Sequence, residues 1–297
     1  MPEGDTIARL AAAFDERVVG REVRSMVVRH PRLATLDLSG ETLERTSSHG
    51  KHLFLHFSNG TALHIHLLMQ GRVLFGGTQG TEEWRRRFEM TFADGTRVVG
   101  VDIPLLHHIS SDSTEGFTGH LGPDLCGELD IDVAMDRVLA AEGEHLSAAL
   151  LDQRNVAGFG NIYAVEVPFI CGLSPFVPVD EVDGLHQLLA VGAALIRTNA
   201  LRGPQNTTGR KLHLGDTWML GTKRRDCPLC GERLEKRSSS TTPWRRRTTW
   251  CTGCQSSNHR TVDLDRVSSL LAMHPARHLL DLHATQAFIG NTAALNL

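Results

Sequence analysis

The chain has 297 residues, 41% of them hydrophobic and 22% charged, with a net charge of −3; this is the balance of a globular protein long enough for more than one core. No apolar run approaches the roughly eighteen residues of a membrane span, and the opening MPEGDTIARL carries two acids in place of a basic leader, so secretion and membrane insertion are not expected and the cytoplasm is. Six cysteines, four of them in two close pairs, suit a reducing compartment and a metal better than a disulfide framework.

In chain order, Ile7, Leu10, Ala11, Phe14 and Val18 recur at helical spacing, with Asp5 or Thr6 as cap and Gly20 as stop. Pro2 and Glu3 therefore stand just ahead of a helix N-terminus. From Val23 to about Val101 the period falls to two, in HLFLHF at 52–57, ALHIHLL at 62–68 and TRVVGV at 96–101, separated by SNG, GG and ADG turns. That predicts an antiparallel sheet domain, a sandwich or a barrel. An acidic, glycine-containing stretch from Asp112 to Asp132 reads as a linker. Residues 133–201 are rich in Ala and Leu at helical spacing, broken by NVAGFG at 155–160 and SPFVPVD at 174–180, which predicts a helical second domain. The clustered cysteines lie between 227 and 254, and helical periodicity returns at Val267 to Leu282 in the tail.

Charge is segregated along the chain. From Arg197 to Arg260 there are 14 Lys and Arg against 4 Asp and Glu, while the remainder is net acidic. A cationic segment of this kind points to a polyanionic partner, because phosphates are neutralised by local charge and not by the chain average.

Three constellations carry chemistry. Cys227-Pro-Leu-Cys230, twenty residues, then Cys251-Thr-Gly-Cys254 has the spacing of four thiolates around one tetrahedral zinc, a closed and hence structural site. Between the pairs lies TTPWRRRTTW, a basic probe for phosphates or a groove. At the front, Met-Pro is a sequence from which the initiator is normally removed, leaving Pro2 as a terminal secondary amine. Such an amine has a pKa of about 7.7 to 8.0 against about 10.4 for lysine, so near neutrality it can attack a sugar C1′ or a carbonyl and form an iminium ion. Glu3 beside it is a candidate general acid or base. Lys51 opens the strand HLFLHF behind Ser-Ser-His-Gly, and Asn161 closes the Gly-rich turn NVAGFG as a helix cap, presenting N–H groups suited to a phosphate.

Together, PEGDT at the start, SHGKHLF at 48–54, GFGNIYA at 158–164 and the CPLC and CTGC pairs resemble the formamidopyrimidine-DNA glycosylase and endonuclease VIII family, in order and rough spacing from residue 1 to about 256. The resemblance implies an α+β multidomain chain: an N-terminal antiparallel β-sandwich (1–125), a helix-two-turn-helix domain (126–221), a zinc-finger hairpin (222–256) and an extra tail (257–297). It implies a monomeric bifunctional DNA glycosylase and abasic-site lyase of base excision repair, acting on damaged DNA. In it Pro2 is the nucleophile that forms the Schiff base, Glu3 protonates the opening sugar, and Lys51 contacts phosphate and assists proton transfer. Asn161 and Arg154 hold phosphates near the lesion, Met69 fills the gap left by the extruded base, and Arg246 grips the phosphates flanking the flipped nucleotide, with Arg245 and Arg247 as its neighbours. The start PEGDT where guanine-type members have PELPE, and DIPLLHH at 102–108 where they have a DPR-like turn, favour the endonuclease VIII branch and oxidised pyrimidines. Thr6 stands where many relatives have Glu. The alternative reading is a catalytically inactive lesion- or structure-specific DNA-binding protein. HPARH at 274–278, in the tail, is expected to pack on the body of the protein or meet a partner and not to bind metal.

Overall fold

A computed structural model describes residues 2–77, 80–127, 129–211, 215–220, 224–238, 247–281 and 288–289, in two compact units, 1–120 and 121–297.

The first unit opens with helix α1 (Gly4–Arg17) and continues through strands β1 (Val23–Val28), β2 (Leu43–His49), β3 (His52–Phe57), β4 (Thr61–His66), β5 (Arg72–Phe75), β6 (Arg86–Phe92), β7 (Arg97–Val101) and β8 (Leu105–Ser110). They form two four-stranded antiparallel sheets, in the orders β1-β6-β7-β5 and β2-β3-β4-β8, so the sandwich is realised and not the barrel. The strand alternation explains the packing. Leu53, Leu55 and Phe57 of β3 and Leu63 and Ile65 of β4 enter one core with Phe88, Met90 and Phe92 of β6 and with Ile7, Ala11 and Phe14 of α1. The helix starts earlier than its apolar pattern predicts, since Glu3, and not Asp5 or Thr6, occupies the cap position, its carbonyl accepting the N–H groups of Thr6 and Ile7 at 3.0 and 3.2 Å. Its side chain makes no cap hydrogen bond, and this is why the position escapes a search for Ser, Thr or Asp caps.

The predicted linker is more structured than its composition suggests. It contains a short helix α2 (Glu115–Thr118), and Leu121 and Leu125 within it are buried. The second unit is helical as expected, with α3 (Ile131–Leu139), α4 (Leu146–Leu151), α5 (Asn161–Ile170) and α6 (Leu185–Arg202). Phe159 packs so closely on α6 that a Cβ at Gly192 would lie 2.2 Å from its ring. A two-stranded hairpin, β9 (Glu235–Ser238) with β10 (Arg247–Trp250), pairs Arg247 with Ser238 and Trp250 with Glu235.

The tail departs from the expected helix. It forms α7 (Leu264–Leu270), then a 3-10 turn at 275–279 and a strand pair, β11 (Leu280–Asp281) with β12 (Phe288–Ile289). Pro275, which lacks an N–H, ends helical continuity, and His274 caps the turn by accepting the Ala276 N–H.

Candidate functional site

One end of the sandwich brings together the Lys51 turn and the loop that carries Met69. Strand β7 ends at Val101, where Arg72 at the start of β5 and Arg86 at the start of β6 pair with it on either side. Segment 67–71 joins this end of the first sheet to the end of β4, and 102–104 joins it to the start of β8. His66 pairs with Leu105, and His49 with His52 across the β2–β3 turn. The same end therefore carries Lys51 and the Met69 loop. Lys51 is half-buried in a two-residue turn whose first position, Gly50, has φ +57°, a conformation a side chain would strain. Met69 is 52% exposed, and its loop is tied by the Gly71 N–H to the Leu67 carbonyl at 2.9 Å.

Helix α1 is tied to the sandwich through its C-terminal half: Phe14 meets Phe75 edge-to-face at a centroid distance of 5.0 Å, Asp15 accepts the Thr46 hydroxyl at 2.7 Å, and just after the helix the Gly20 N–H donates to the Leu43 carbonyl at 2.7 Å. Ahead of the helix, Pro2 is half-buried and the Glu3 side chain is fully buried.

Sequence reasoning missed the histidines of this unit. The outer face of the β2-β3-β4-β8 sheet presents His52 and His56 from β3, His64 and His66 from β4 and His107 from β8. Phe54 and Phe117 pack among them, Phe117 at 4.4 Å from the His64 ring centroid. Burial is the main cause that pulls His52 and His64 down to about 3 and His56 and His66 to about 4. His52 Nδ1 and His64 Nε2 lie 2.9 Å apart, and His56 sits between Ser47 and Ser111 at 2.8 and 3.2 Å. His66 has a direct link to the Met69 loop, its Nδ1 accepting the N–H of Leu68 at 3.1 Å, where Leu68 takes φ +47°. The signal was present as His at alternate positions of HLFLHF and ALHIHLL, but alternation alone reads such residues as solvent-facing.

In the second unit, Asn161 is the first residue of α5 and Gly160 holds the cap position, a one-residue correction to the reading of Asn161 as cap. The extended backbone at Gly160 (φ −125°, ψ −159°) and φ +105° at Gly158 bring the chain into the helix. Gln153 braces the turn by donating to the Phe159 carbonyl at 2.8 Å and accepting the Gly158 N–H at 3.2 Å. The Oδ1 of Asn161 is buried and has no hydrogen-bond donor among the described residues, a cost that a bound polar partner relieves. Arg154 is exposed but engaged. Its Nε lies 3.0 Å from both Asp152 oxygens and its Nη2 2.5 Å from Oδ2, which holds the Asp152 carboxyl below the usual range. Arg245 and Arg246 lie outside the described residues, and Arg247 is exposed at the start of β10.

Cys227, Cys230, Cys251 and Cys254 converge, with their Sγ atoms all within 4.8 Å of one another. Cys227 and Cys254 are 3.7 Å apart and Cys230 and Cys251 3.3 Å, close to the edge of about 3.8 Å of a tetrahedron with metal–sulfur bonds of about 2.3 Å. The four can hold a metal ion. Gln255 ties the site to the helical body, accepting the Cys251 N–H at 3.0 Å and donating to the Leu173 carbonyl at 2.7 Å. Glu166 of α5 is a further missed residue. Fully buried, it accepts the Thr207 hydroxyl at 2.6 Å and the N–H groups of Trp218, Met219 and Leu220 at 2.7, 2.8 and 3.0 Å.

Residues 1–105 match the model of the formamidopyrimidine-DNA glycosylase N-terminal domain. The chain is 35% identical over 262 residues to the probable endonuclease 8 2 of Streptomyces coelicolor, covering 86% of this chain and 94% of the relative. It is 33% identical over 259 residues to the DNA-(apurinic or apyrimidinic site) lyase Nei2 of Mycolicibacterium smegmatis, covering 87% and 100%. The fold is similar to that of the Lactococcus lactis formamidopyrimidine-DNA glycosylase solved in complex with DNA containing N7-benzyl-Fapy-dG, with a TM-score of 0.72, 22% identity and coverage of 86% and 100%. With identity this high over nearly the full length of its relatives, the chain belongs to the formamidopyrimidine-DNA glycosylase and endonuclease VIII family, on its endonuclease VIII-like side.

Proposed function

We propose that the protein is a bifunctional DNA glycosylase and abasic-site lyase of base excision repair, removing oxidised bases, pyrimidines foremost, from DNA. What supports this reading is the gathering of the Lys51 turn and the Met69 loop at one end of the sandwich, with Pro2 and the buried Glu3 directly ahead of α1.

The chemistry needs a neutral amine, an acid and a displaced nucleotide. The Pro2 nitrogen attacks C1′, forming a C–N bond as the bond from C1′ to the base breaks, and the N–H proton that the nitrogen then gives up neutralises the departing base. Glu3, shielded from water, protonates the ring oxygen as the C1′–O4′ bond opens, and the nitrogen lone pair completes the iminium. Loss of a proton from C2′ then expels the 3′ phosphate, and water hydrolyses the iminium to return the amine. Lys51 serves as phosphate contact and proton carrier at the same end. Because a base inside a duplex hides C1′, the nucleotide must leave the stack at a cost of a few kcal/mol. Met69 offsets the lost stacking as an apolar wedge, while Asn161, Arg154 and Arg246 hold phosphates. Cys227, Cys230, Cys251 and Cys254 would hold zinc, which leaves no open coordination position and so supplies structure to the β9–β10 hairpin. No helix among the described residues is long and apolar enough to cross a membrane. The reading takes the protein as a monomer that acts on cytoplasmic DNA.

Borohydride trapping tests the reading. Incubation with duplexes carrying thymine glycol, dihydrouracil or an abasic site should give a covalent protein–DNA adduct whose peptide maps to Pro2. Binding without any adduct on all three would leave the non-catalytic DNA-binding alternative in its place.

A further inference from the structure

Trp84 is 69% exposed, an unusual position for a side chain whose burial is worth several kcal/mol. Its mounting is rigid. A 3-10 turn at Glu83–Arg85 closes with the Arg85 N–H on the Glu82 carbonyl at 3.1 Å, and the Arg85 carbonyl accepts the Asp102 N–H at 2.8 Å. Arg87 donates to the Trp84 carbonyl at 2.9 Å, Arg85 grips Asp102 through two nitrogens, and Arg29 reaches Glu83 at 2.6 Å. The Arg85 guanidinium lies 5.9 Å from the Trp84 ring centroid. A braced segment therefore holds the indole out in water beside guanidinium groups.

Its place in the topology gives the exposure a meaning. Trp84 directly precedes β6, whose first residue pairs with Val101, the residue that also pairs with Arg72 just after the Met69 loop. Trp84, Arg72, Met69 and Lys51 therefore share one end of the sandwich. Arg29 and Arg85 are neutralised by Glu83, Glu89 and Asp102, whereas Arg32, Arg72 and Arg87 form no salt bridge among the described residues. Glu82 and Glu83 are the exposed acids of the turn, Glu83 being paired with Arg29.

We infer that Trp84, with Arg72 and Arg87, is a second DNA contact of the sandwich: an aromatic platform on which an unstacked base rests while the guanidinium groups meet its phosphates. Every base offers a π-face, so the platform discriminates stacked from unstacked DNA and not sequence. It favours single-stranded or bubbled substrate over intact duplex. The inference rests on the DNA-repair reading above and adds to it a residue and a substrate preference.

The full-length protein, its Trp84→Ala and its Trp84→Phe variants would be titrated against fluorescein-labelled single-stranded, bubbled and fully paired oligonucleotides, each carrying an abasic-site analogue. Trp84→Ala should weaken binding to single strands and bubbles about tenfold and to the paired duplex by less than twofold. Trp84→Phe should restore most of that affinity, and DNA should quench the wild-type indole emission more than that of Trp84→Phe. Unchanged affinities with unchanged quenching would overturn the platform, as would an equal loss on all three DNAs. If Trp84→Ala does not fold, Trp84→Phe and the quenching difference decide alone. Failure of the wild-type protein to bind any of the DNAs would instead remove the repair reading on which the platform rests.

Discussion

His274 donates through Nε2 to the carbonyl of Asn206 at 3.1 Å while its Nδ1 accepts the Ala276 N–H at 3.0 Å. A fully buried residue of the tail is thus part of the hydrogen bonding of the segment after α6. Asn206 in turn bonds Asn199, which donates to the Tyr163 hydroxyl at 2.8 Å, two residues beyond Asn161. The tail braces the helix that begins with a proposed phosphate ligand.

His274→Ala should therefore destabilise the protein by about 2 kcal/mol. It leaves a cavity and removes one donor, although the Asn206 carbonyl keeps the Asn199 amide. Urea denaturation followed by tryptophan fluorescence measures the loss, and a change under about 0.5 kcal/mol would show that the tail is peripheral. Gly209→Ala should be at least as costly, because Gly209 has φ +75° and its Cβ would fall 2.6 Å from the His274 nitrogen.

Glu166→Gln should not behave as an isosteric replacement. All four groups that meet the carboxylate donate to it, three of them being backbone N–H groups, of which only that of Trp218 also reaches the Thr207 hydroxyl oxygen, at 3.4 Å. An amide turns one acceptor into a donor aimed at donors, so we expect a loss of about 2 to 4 kcal/mol, close to that of Glu166→Ala. Burial raises the Glu166 pKa and the four donors oppose that. Denaturation curves for the two variants that differ by more than about 2 kcal/mol would contradict this account.

The alternating runs at 52–57, 62–68 and 96–101, the helical character of 133–201 and the cysteine cluster were legible because each rests on local periodicity or on ligand spacing. Other features depend on partners remote in sequence. HLFLHF displays its core-facing Leu53, Leu55 and Phe57, but nothing in it says that Phe117, sixty residues on, covers the histidines of the other face. Glu166 sits among apolar neighbours in NIYAVEVPFI, and its donors lie beyond residue 206. Arg154 reads as an available cation until the neighbouring Asp152 is seen to hold it. Asn161 was displaced by one position because Gly160 caps through its backbone, which leaves no side-chain signature.

The sheet histidines make stability fall in acid. Their folded pKa values, about 3 for His52 and His64 and about 4 for His56 and His66, lie below the unfolded value of about 6.5, so the unfolded chain binds more protons between these limits. Their contribution is complete above about pH 6.5 and is lost progressively toward pH 4, with a limiting slope of about 1.4 kcal/mol per pH unit for each histidine titrating only in the unfolded state. Urea midpoints at pH 7.5, 6 and 5 should decline accordingly. His64→Leu should shallow the decline, and an unchanged pH dependence would show that other groups govern it.

Arg154 and Arg246 should separate in their dependence on salt. Arg154 is exposed yet already neutralised by the bidentate Asp152 contact, and a cation so paired releases less than a full counterion's worth of free energy on meeting a phosphate. In the repair reading, Arg246→Ala lowers the slope of log K against log salt by about one, the loss of one phosphate contact, whereas Arg154→Ala lowers it by less than half of that. Asp152→Asn frees the guanidinium and should strengthen binding to an abasic-site duplex severalfold at low salt, an effect that Arg154→Ala in the same background abolishes. Equal slopes for the two arginine variants, together with no gain from Asp152→Asn, would mean that the Asp152 contact breaks at no cost when DNA binds.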